Sequence, residues 1–516
     1  MSDKEKVKTN IPSQEDKRTF GEKFSLLMRK KWLTNSVSTI IIVIILVCLY
    51  LLINIGIEKL DLDEIDVTKN QIYTVSNESK EALKNLNETV TVYVFGFDNS
   101  TTDFSLNQEN LVRLLKQYAN ASEYVKYEVL NSEDNLAKIQ EYELQTGYDY
   151  LIFESATSHK IVSDSDLVSY DYTSNQKVYL VEETITNGIF GVTDDNRPKA
   201  YFVTGHGEVP TEGLQTVLAY MENENVDSAA IDLKTTSVIP EDCKVLIMLA
   251  PTEDYFESEV AQIKQYINNG GNIMVTSITS LEAMKDLTNF QTILDIYGVT
   301  MENNGYIFEN DPTKAMANAP FVITPSLASY SKITENISKS GYVYIPYAGR
   351  ITTQDDEWLE NNQLDKVNLA WSSNSSVFIT DLTKNVYEVA GESETGSNDV
   401  AVMMVKTLKD GAYDDESTRS SAIFIADSIF AADYVVEGVS SYYPMSYIKN
   451  NKDLFLNSVE YLAGKTTIVS IRKDMSTSTY APTQTQNLIV FAVIFSVPVV
   501  IIITGVVVGI VRKRKK

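Results

Sequence analysis

The stretch Ala200-Tyr-Phe-Val-Thr-Gly-His-Gly-Glu208 sets the fold class of this 516-residue chain. Its first five residues predict a buried strand, and Gly205-His206-Gly207-Glu208 predicts a tight turn that ends the strand. Apolar residues at Leu214, Val217, Leu218 and Met221 then recur at helical spacing. A buried strand, a glycine turn and an amphipathic helix form the repeating unit of an α/β fold.

The same unit recurs further along the chain. The strands predicted after it are Val245–Leu249, Asn272–Thr276 and Ala422–Ala426. Helices are predicted between them, and another follows from about Asp453 to Leu462. The alternation is lost between about residues 300 and 415, where short strand-like pieces are separated by Gly/Ser/Asp-rich turns. We therefore predict a doubly wound α/β domain over residues 199–470, interrupted by a β-rich insertion at about 300–415.

A smaller α/β domain is predicted to precede it, over residues 58–198. Val90–Phe95 and Tyr124–Leu130 are rich in β-branched and aromatic residues, and the residues between them show helical spacing. A short helix near 135–144 and a hairpin at 148–162 follow. This order of βαβ unit and hairpin is typical of a thioredoxin-like domain, although no Cys-x-x-Cys motif is present to support thioredoxin redox chemistry.

Two long apolar stretches flank these domains. Residues 32–57 and 488–511 contain no charged side chain, and their 26 and 24 residues exceed the ~20 that a helix needs to cross a bilayer. We predict two uncleaved transmembrane helices, with a linker at 471–487. The segment 1–31 carries nine Lys/Arg against five Asp/Glu, and residues 512–516 are all basic. Basic flanks stay inside, so both termini are predicted to be cytoplasmic and the body external, in the cell membrane.

Composition excludes several classes of function. The formal charge is −26, and the predicted external body, residues 58–487, carries 30 Lys/Arg against 65 Asp/Glu. This field argues against nucleic acid as a partner. Two cysteines and two histidines argue against a disulfide scaffold and a metal cluster, so no metal site is predicted. Ala463-Gly-Lys-Thr-Thr467 lacks the first P-loop glycine and follows a helix, so we predict neither a nucleotide site nor a cofactor.

The turn Gly205-His206-Gly207-Glu208 is the strongest candidate site. Ligands of open α/β sheets bind beyond the carboxyl ends of the strands, and Asp427 also follows a strand. His206 could transfer protons or hold a ligand together with Glu208 and Asp427. The alternative is a structural turn, which we favour because no nucleophile accompanies these residues. On that interpretation His206→Ala costs at most ~1–2 kcal/mol.

Two features point toward the membrane and its proteins. Gly505 and Gly509 form a small-xxx-small face in the second apolar stretch, which predicts close packing against another membrane helix. Phe20, Phe24 and Leu27 share a face among basic residues, as expected of a short helix lying on anionic lipid.

Several segments together resemble the auxiliary subunits of ABC-type transport systems, a family related to the gliding-motility auxiliary protein. The matching segments are Asp66–Ser76, Val90–Phe95, Tyr201–Glu208, Asn269–Val275, Phe424–Phe430 and Asn451–Gly464. The Gly-His-Gly-Glu turn and the segment that begins at Asn451 are the most specific of them.

The resemblance implies an external α/β part similar to class I glutamine amidotransferases but without their activity. It also implies partnership with separate permease and ATPase subunits, so the expected function is that of a non-catalytic, membrane-anchored subunit that caps or scaffolds a permease. Two alternatives stay open: an extracytoplasmic enzyme that uses His206, Glu208 and Asp427, and a surface-binding module.

Overall fold

A computed structural model describes residues 74–465, together with Ile44, Ile45 and Cys48. Within 74–465 the description leaves out 98–106, 131–134, 146–147, 172–175, 194–196, 280–286, 317–318, 338–340, 382–384, 409–418 and 437–443. The chain divides into two compact units, Met1–Asp66 and Val67–Lys516. Apart from the helical residues Ile44, Ile45 and Cys48, the helices and strands that the structure describes belong to the second unit.

The predicted membrane spans lie almost entirely outside the described residues. In 32–57 only Ile44, Ile45 and Cys48 are described, and they are helical and exposed. The span 488–511, the terminal segments 1–31 and 512–516 and the linker 471–487 lie outside. Among the residues that are described, no helix combines the length and the apolar character needed to cross a bilayer.

The second unit is a mixed α/β structure. Its helices are α1 Asn77–Leu83, α2 Gln108–Ala121, α3 Leu136–Glu141, α4 Val181–Gly191, α5 Gln215–Asn223, α6 Glu257–Asn268, α7 Thr288–Leu294, α8 Asp356–Asn361, α9 Val386–Glu392 and α10 Lys449–Leu462. Its first strands are β1 Val90–Phe95, β2 Val125–Leu130, β3 Tyr150–Glu154, β4 His159–Ser163, β5 Val168–Asp171, β6 Gln176–Tyr179, β7 Lys199–Thr204, β8 Asp227–Asp232, β9 Cys243–Leu249 and β10 Asn272–Thr276. The others are β11 Val299–Glu302, β12 Tyr306–Phe308, β13 Ala315–Met316, β14 Ala319–Ile323, β15 Ser326–Leu327, β16 Ile345–Pro346, β17 Arg350–Thr353, β18 Leu364–Trp371, β19 Val377–Ile379, β20 Asp399–Thr407 and β21 Arg419–Ile425.

Residues 74–193, which we call the small lobe, are built on a four-stranded sheet of order β2-β1-β3-β4. Strands β1 and β2 are parallel and are joined by α2, whereas β3 and β4 form an antiparallel hairpin. The side chain of Asn107 caps α2 by accepting the Asn110 N–H at 2.9 Å. The apolar face of α2 from Leu111 to Tyr118 is buried on the sheet. The predicted βαβ unit and hairpin are confirmed.

Residues 197–465, the large lobe, contain the main sheet. Its parallel part has the order β8-β7-β9-β10-β21, and antiparallel β20 continues it. The chain moves from β7 to one neighbour, β8, and then returns to the other side of β7 for β9. That reversal is the topological switch point of a doubly wound sheet. The central strands β9 and β10 are almost wholly apolar and buried because both sheet faces are covered there, whereas the edge strand β8 is mostly exposed.

Helices cover both faces of the main sheet. Residues of α5 and α10 pack with Phe202, Ile247 and Ile425 in one core. Residues of α6 and α7 pack with Val203, Met248 and Phe424 in the other core. Successive residues of one strand therefore alternate between the two cores, as the two-residue period of a strand requires.

The segment 300–415 is rich in strands, as predicted, but part of it belongs to the main sheet. Strand β20 pairs with β21, and β17 and β18 pair with β20, all antiparallel. Strand β11 pairs with β17 and β15 pairs with β18 in the same sheet, and the remaining strands form two small sheets, β12-β19 and β13-β14-β16. The long strand β20 is Asp-Val-Ala-Val-Met-Met-Val-Lys-Thr, and its continuous apolar run is typical of a strand buried on both faces.

The two lobes meet at the turn that follows α5. Asn225 accepts a hydrogen bond from Lys160 Nζ at 3.3 Å and donates one to the Asn187 carbonyl of α4 at 2.8 Å. A Cβ atom at Gly191 would lie 2.4 Å from the Asn225 Oδ1 atom, so glycine is needed for this contact. The lobes are therefore joined by buried polar contacts.

Candidate functional site

The Gly205–Glu208 turn lies at the carboxyl end of β7, beside the switch point of the main sheet. Gly205 and Gly207 have φ angles of +112° and +71°, which favour glycine. A Cβ atom at Gly207 would lie 2.0 Å from Thr252 Oγ1. The backbone N–H groups of Thr252 and Glu253 both donate to the His206 carbonyl at 2.9 Å. The turn is therefore pressed against the loop that follows β9.

His206 is buried between two carboxylates. Its side chain is 1 % exposed, with Nε2 3.0 Å from Glu259 Oε2 and Nδ1 3.7 Å from Glu208 Oε1. The Tyr255 ring stacks on the imidazole with a centroid distance of 4.2 Å. These contacts link the end of β7 to the first turn of α6 and enclose the imidazole.

The two carboxylates are also held by other donors. Glu208 accepts the His206 N–H at 2.7 Å and the Tyr255 hydroxyl at 2.8 Å. Glu259 accepts the Phe256 N–H at 2.7 Å, which caps the start of α6. Burial, reinforced by the charge of Glu208, holds the pKa of Tyr255 well above its usual value. Tyr255 therefore stays a neutral donor to Glu208.

Asp427 occupies a different part of the same edge. Its carboxylate accepts the N–H groups of Ile429 at 2.9 Å and Phe430 at 3.0 Å, and the residue is 1 % exposed. Burial raises the pKa of Asp427 to about 7, although these N–H donors act in the opposite direction. The carboxylate closes the turn after β21.

The structure brings together only part of the predicted set. His206 and Glu208 are in contact, but β9 and β10 lie between β7 and β21, which places Asp427 about 14 Å away at ordinary strand spacing. Glu259, rather than Asp427, is the second carboxylate beside His206. The sequence marks Glu259 only as an acidic residue in the first turn of a helix, where a negative charge favours the helix start. Gly505 and Gly509 lie outside the described residues.

The chemistry open to this cluster is limited by its enclosure. An imidazole, two carboxylates and a phenol provide hydrogen-bond donors and acceptors for one another. Within the described part of the chain, no group of three His, Cys, Asp or Glu side chains is arranged to hold a metal ion. Cys243 is also buried, and burial raises the pKa of its thiol to about 11.

The segment that begins at Asn451 forms the buried helix α10. Asn451 accepts the Tyr344 N–H at 2.8 Å and donates to the carbonyls of Tyr344 and Phe430, both at 2.9 Å. Asn457 donates to the Ile333 carbonyl at 2.6 Å. These asparagines bind loops of the 300–415 segment, and the turn at Phe430, to α10.

A family model described as an ABC-type uncharacterized transport system, which covers its auxiliary components, matches residues 197–458. The chain belongs to this family. The match covers about half of the chain and includes every strand of the main sheet, the Gly205–Glu208 turn and most of α10. Membership assigns an auxiliary role in an ABC-type transport system.

Other comparisons are less specific. A domain of unknown function (DUF7088) matches residues 69–166 in the small lobe. The mmIFT52 N-terminal domain is similar in structure at 12 % identity and a TM-score of 0.35, covering 51 % of this chain and 97 % of that one. A putative ThuA-like protein from Parabacteroides merdae ATCC 43184 has 12 % identity and a TM-score of 0.29, covering 56 % and 98 %. No curated protein matches the chain.

Proposed function

We propose that this chain is a non-catalytic auxiliary subunit anchored in the cell membrane by two helices at 32–57 and 488–511. Its body is external, both termini are cytoplasmic, and its partners are an ABC permease, the ATPase of that permease and membrane lipid. The observation that carries the proposal is the family match over the large lobe. The charge-free stretches and their basic flanks support the anchoring.

The domain organisation belongs to this proposal. The order β2-β1-β3-β4, with a βαβ unit followed by a hairpin, supports a thioredoxin-like domain within 58–198. The parallel order β8-β7-β9-β10-β21 supports an amidotransferase-like domain within 199–470. On this interpretation both are retained as scaffolds, without the chemistry of either family.

The enclosure of His206 supports a structural role for the turn. Its imidazole is 1 % exposed, and Glu208, Glu259 and Tyr255 surround it. A substrate arriving from solvent would have to displace these side chains before it reached the imidazole. We therefore assign Gly205, His206, Gly207 and Glu208 to holding α6 on the main sheet, and Asp427 to closing the turn after β21.

Co-purification tests the proposal directly. The tagged full chain, extracted from its native membranes in a mild detergent, is expected to bring down a multi-span permease and an ABC ATPase. Gly505→Ile with Gly509→Ile should reduce this recovery, because the added side chains prevent close helix approach. Val506→Ile with Val507→Ile adds bulk on other faces of the same helix and serves as the control.

The double glycine variant must still be found in the membrane fraction, so that loss of the complex is distinguished from loss of insertion. Isolation of the chain alone at every salt concentration tested would show that it is not a stable transporter subunit.

A further inference from the structure

The described body is attached to the predicted membrane helices at two points, which we call its roots. The N-terminal root is Val75-Ser76, and the C-terminal root is the end of α10 up to Lys465. We call the edge of the main sheet where the parallel strands begin the amino edge, and the opposite edge the carboxyl edge. The positions of the roots relative to these edges determine which side of the body is tethered.

The C-terminal root lies at the amino edge. The side chain of Asn272, the first residue of β10, donates to the Leu462 carbonyl at 2.7 Å. Lys465 donates to the carbonyl of Glu224, in the turn that leads into the start of β8, and to Glu460 Oε1 at 2.7 Å. The chain therefore leaves the large lobe at the amino edge, in contact with the start of β10 and with the turn before β8, which are separated in the sheet by β9 and β7.

The N-terminal root is connected to the same place through α4. The Ser76 N–H donates to Glu182 Oε1 at 2.7 Å in the first turn of that helix. At its other end, Asn187 and Gly191 contact Asn225, which directly follows the Glu224 that accepts from Lys465. From Glu182 to Gly191 the helix axis covers only about 14 Å. One short helix thus connects both roots.

We infer that the body stands on the membrane with the small lobe and the amino edge toward the lipid and the carboxyl edge away from it. This inference rests on the proposed two-helix anchoring. The sequence leaves 17 residues, 58–74, and 22 residues, 466–487, between the roots and the predicted spans. Turning the body over would place both roots on the side away from the membrane, so each of these segments would have to span the depth of the large lobe in addition.

Charge supports the same orientation. Two cations at the amino edge are paired with acids of that edge: Arg197 lies 3.0 Å from Asp227, and Lys199 lies 3.3 Å from Asp242. Anionic lipid headgroups repel these neutralised pairs less than they repel the rest of the body, where acidic side chains outnumber basic ones. In this orientation the body offers two separate surfaces to two kinds of partner. The permease meets the small lobe and the amino edge, whereas the Gly205–Glu208 turn and the exposed ring of Phe256 face partners that are not in the membrane.

Energy transfer to lipid measures this orientation. The full chain carries Cys48→Ser, since Cys243 is buried and its raised pKa leaves the thiol unreactive at neutral pH. A donor dye is attached to Lys244→Cys at the amino edge or to Glu257→Cys at the carboxyl edge, both exposed sites. The protein is reconstituted in vesicles of phosphatidylcholine and phosphatidylglycerol whose headgroups carry the acceptor.

Transfer from position 244 is expected to be about twofold or more higher, because the seven residues of β9 alone separate the edges by about 23 Å. Glu241→Cys and Ser258→Cys form a second pair that must give the same ranking. Equal transfer from the two edges, or more from 257, with the chain still floating on the vesicles, overturns the orientation alone. A chain that does not float with the vesicles overturns the anchoring and the orientation together.

Discussion

At the scale of single residues, His206 provides the sharpest test of the site. His206→Ala removes the imidazole and leaves Glu208 and Glu259 buried without the group between them. Removing a fully buried ring that stacks on Tyr255 leaves a cavity and costs about 2–5 kcal/mol, so we expect the free energy of unfolding to fall by that amount. The measurement is denaturant unfolding of the full chain in detergent. This exceeds the loss expected from the sequence, which considered the turn geometry alone.

His159→Ala is the matched control for that variant. His159 is exposed, and its ring lies against Tyr142 at a centroid distance of 5.3 Å. Its loss should cost less than about 1 kcal/mol. Similar small losses in the two variants would show that the His206 contacts contribute little to stability.

Asp427 predicts a dependence of stability on pH. Its pKa is about 7 in the folded chain against 3.8 ordinarily, so the folded state binds this proton more tightly. Its stabilising contribution is complete below about pH 4 and is lost as pH rises toward 7. Asp427→Asn does not titrate, and one side-chain oxygen still accepts a backbone N–H. The loss of unfolding free energy between pH 4 and 7 should be smaller in Asp427→Asn, by on the order of 2–4 kcal/mol.

Parallel unfolding curves for the wild type and Asp427→Asn at each pH test this, because the other titrating groups are common to both proteins. A constant difference between the two proteins across this range would mean that Asp427 does not bind the proton preferentially in the folded state.

The sequence predicts part of this site and misses the rest for a physical reason. Gly205-His206-Gly207-Glu208 is contiguous, so its turn is visible in the sequence. The pairing of His206 with Glu259 depends on how α6 is positioned after β9, which is a tertiary contact. The sequence groups Asp427 with His206 because both follow strands, but the order of the strands places two others, β9 and β10, between them.

At the scale of elements, α10 acts as an internal connector. Asn451 is fully buried and makes three hydrogen bonds to two separate loops. Asn451→Ala leaves the backbone N–H of Tyr344 and two carbonyls without that partner. We expect thermal or denaturant unfolding to show a loss of about 2–4 kcal/mol. Asn268→Ala, at an exposed helix position, should change stability by less than about 0.5 kcal/mol. Equal effects in the two variants would contradict the connecting role.

The elements themselves differ in how well the sequence predicts them. Strand β1 has the predicted bounds, Val90–Phe95, because its composition alone favours a strand. The membership of β17, β18 and β20 in the main sheet is not predicted. Their pairings join residues far apart in the chain, such as Val367 with Met403, and local composition carries no information about partners.

At the scale of the whole molecule, the two-helix topology makes a prediction that is independent of any partner. If 32–57 and 488–511 both cross the bilayer and basic flanks stay inside, positions 4 and 515 face the cytoplasm, while the exposed position 253 faces outward. A membrane-impermeant maleimide should then label Glu253→Cys in intact cells but neither Lys4→Cys nor Lys515→Cys.

Each variant is made in the Cys48→Ser background, where the remaining Cys243 is buried. The two terminal cysteines should be labelled once the cells are permeabilised. That result would show that they were not labelled in intact cells because the reagent could not reach them, and not because the thiol was missing. Strong labelling at either terminus of intact cells would contradict the arrangement in which both helices hold one external body.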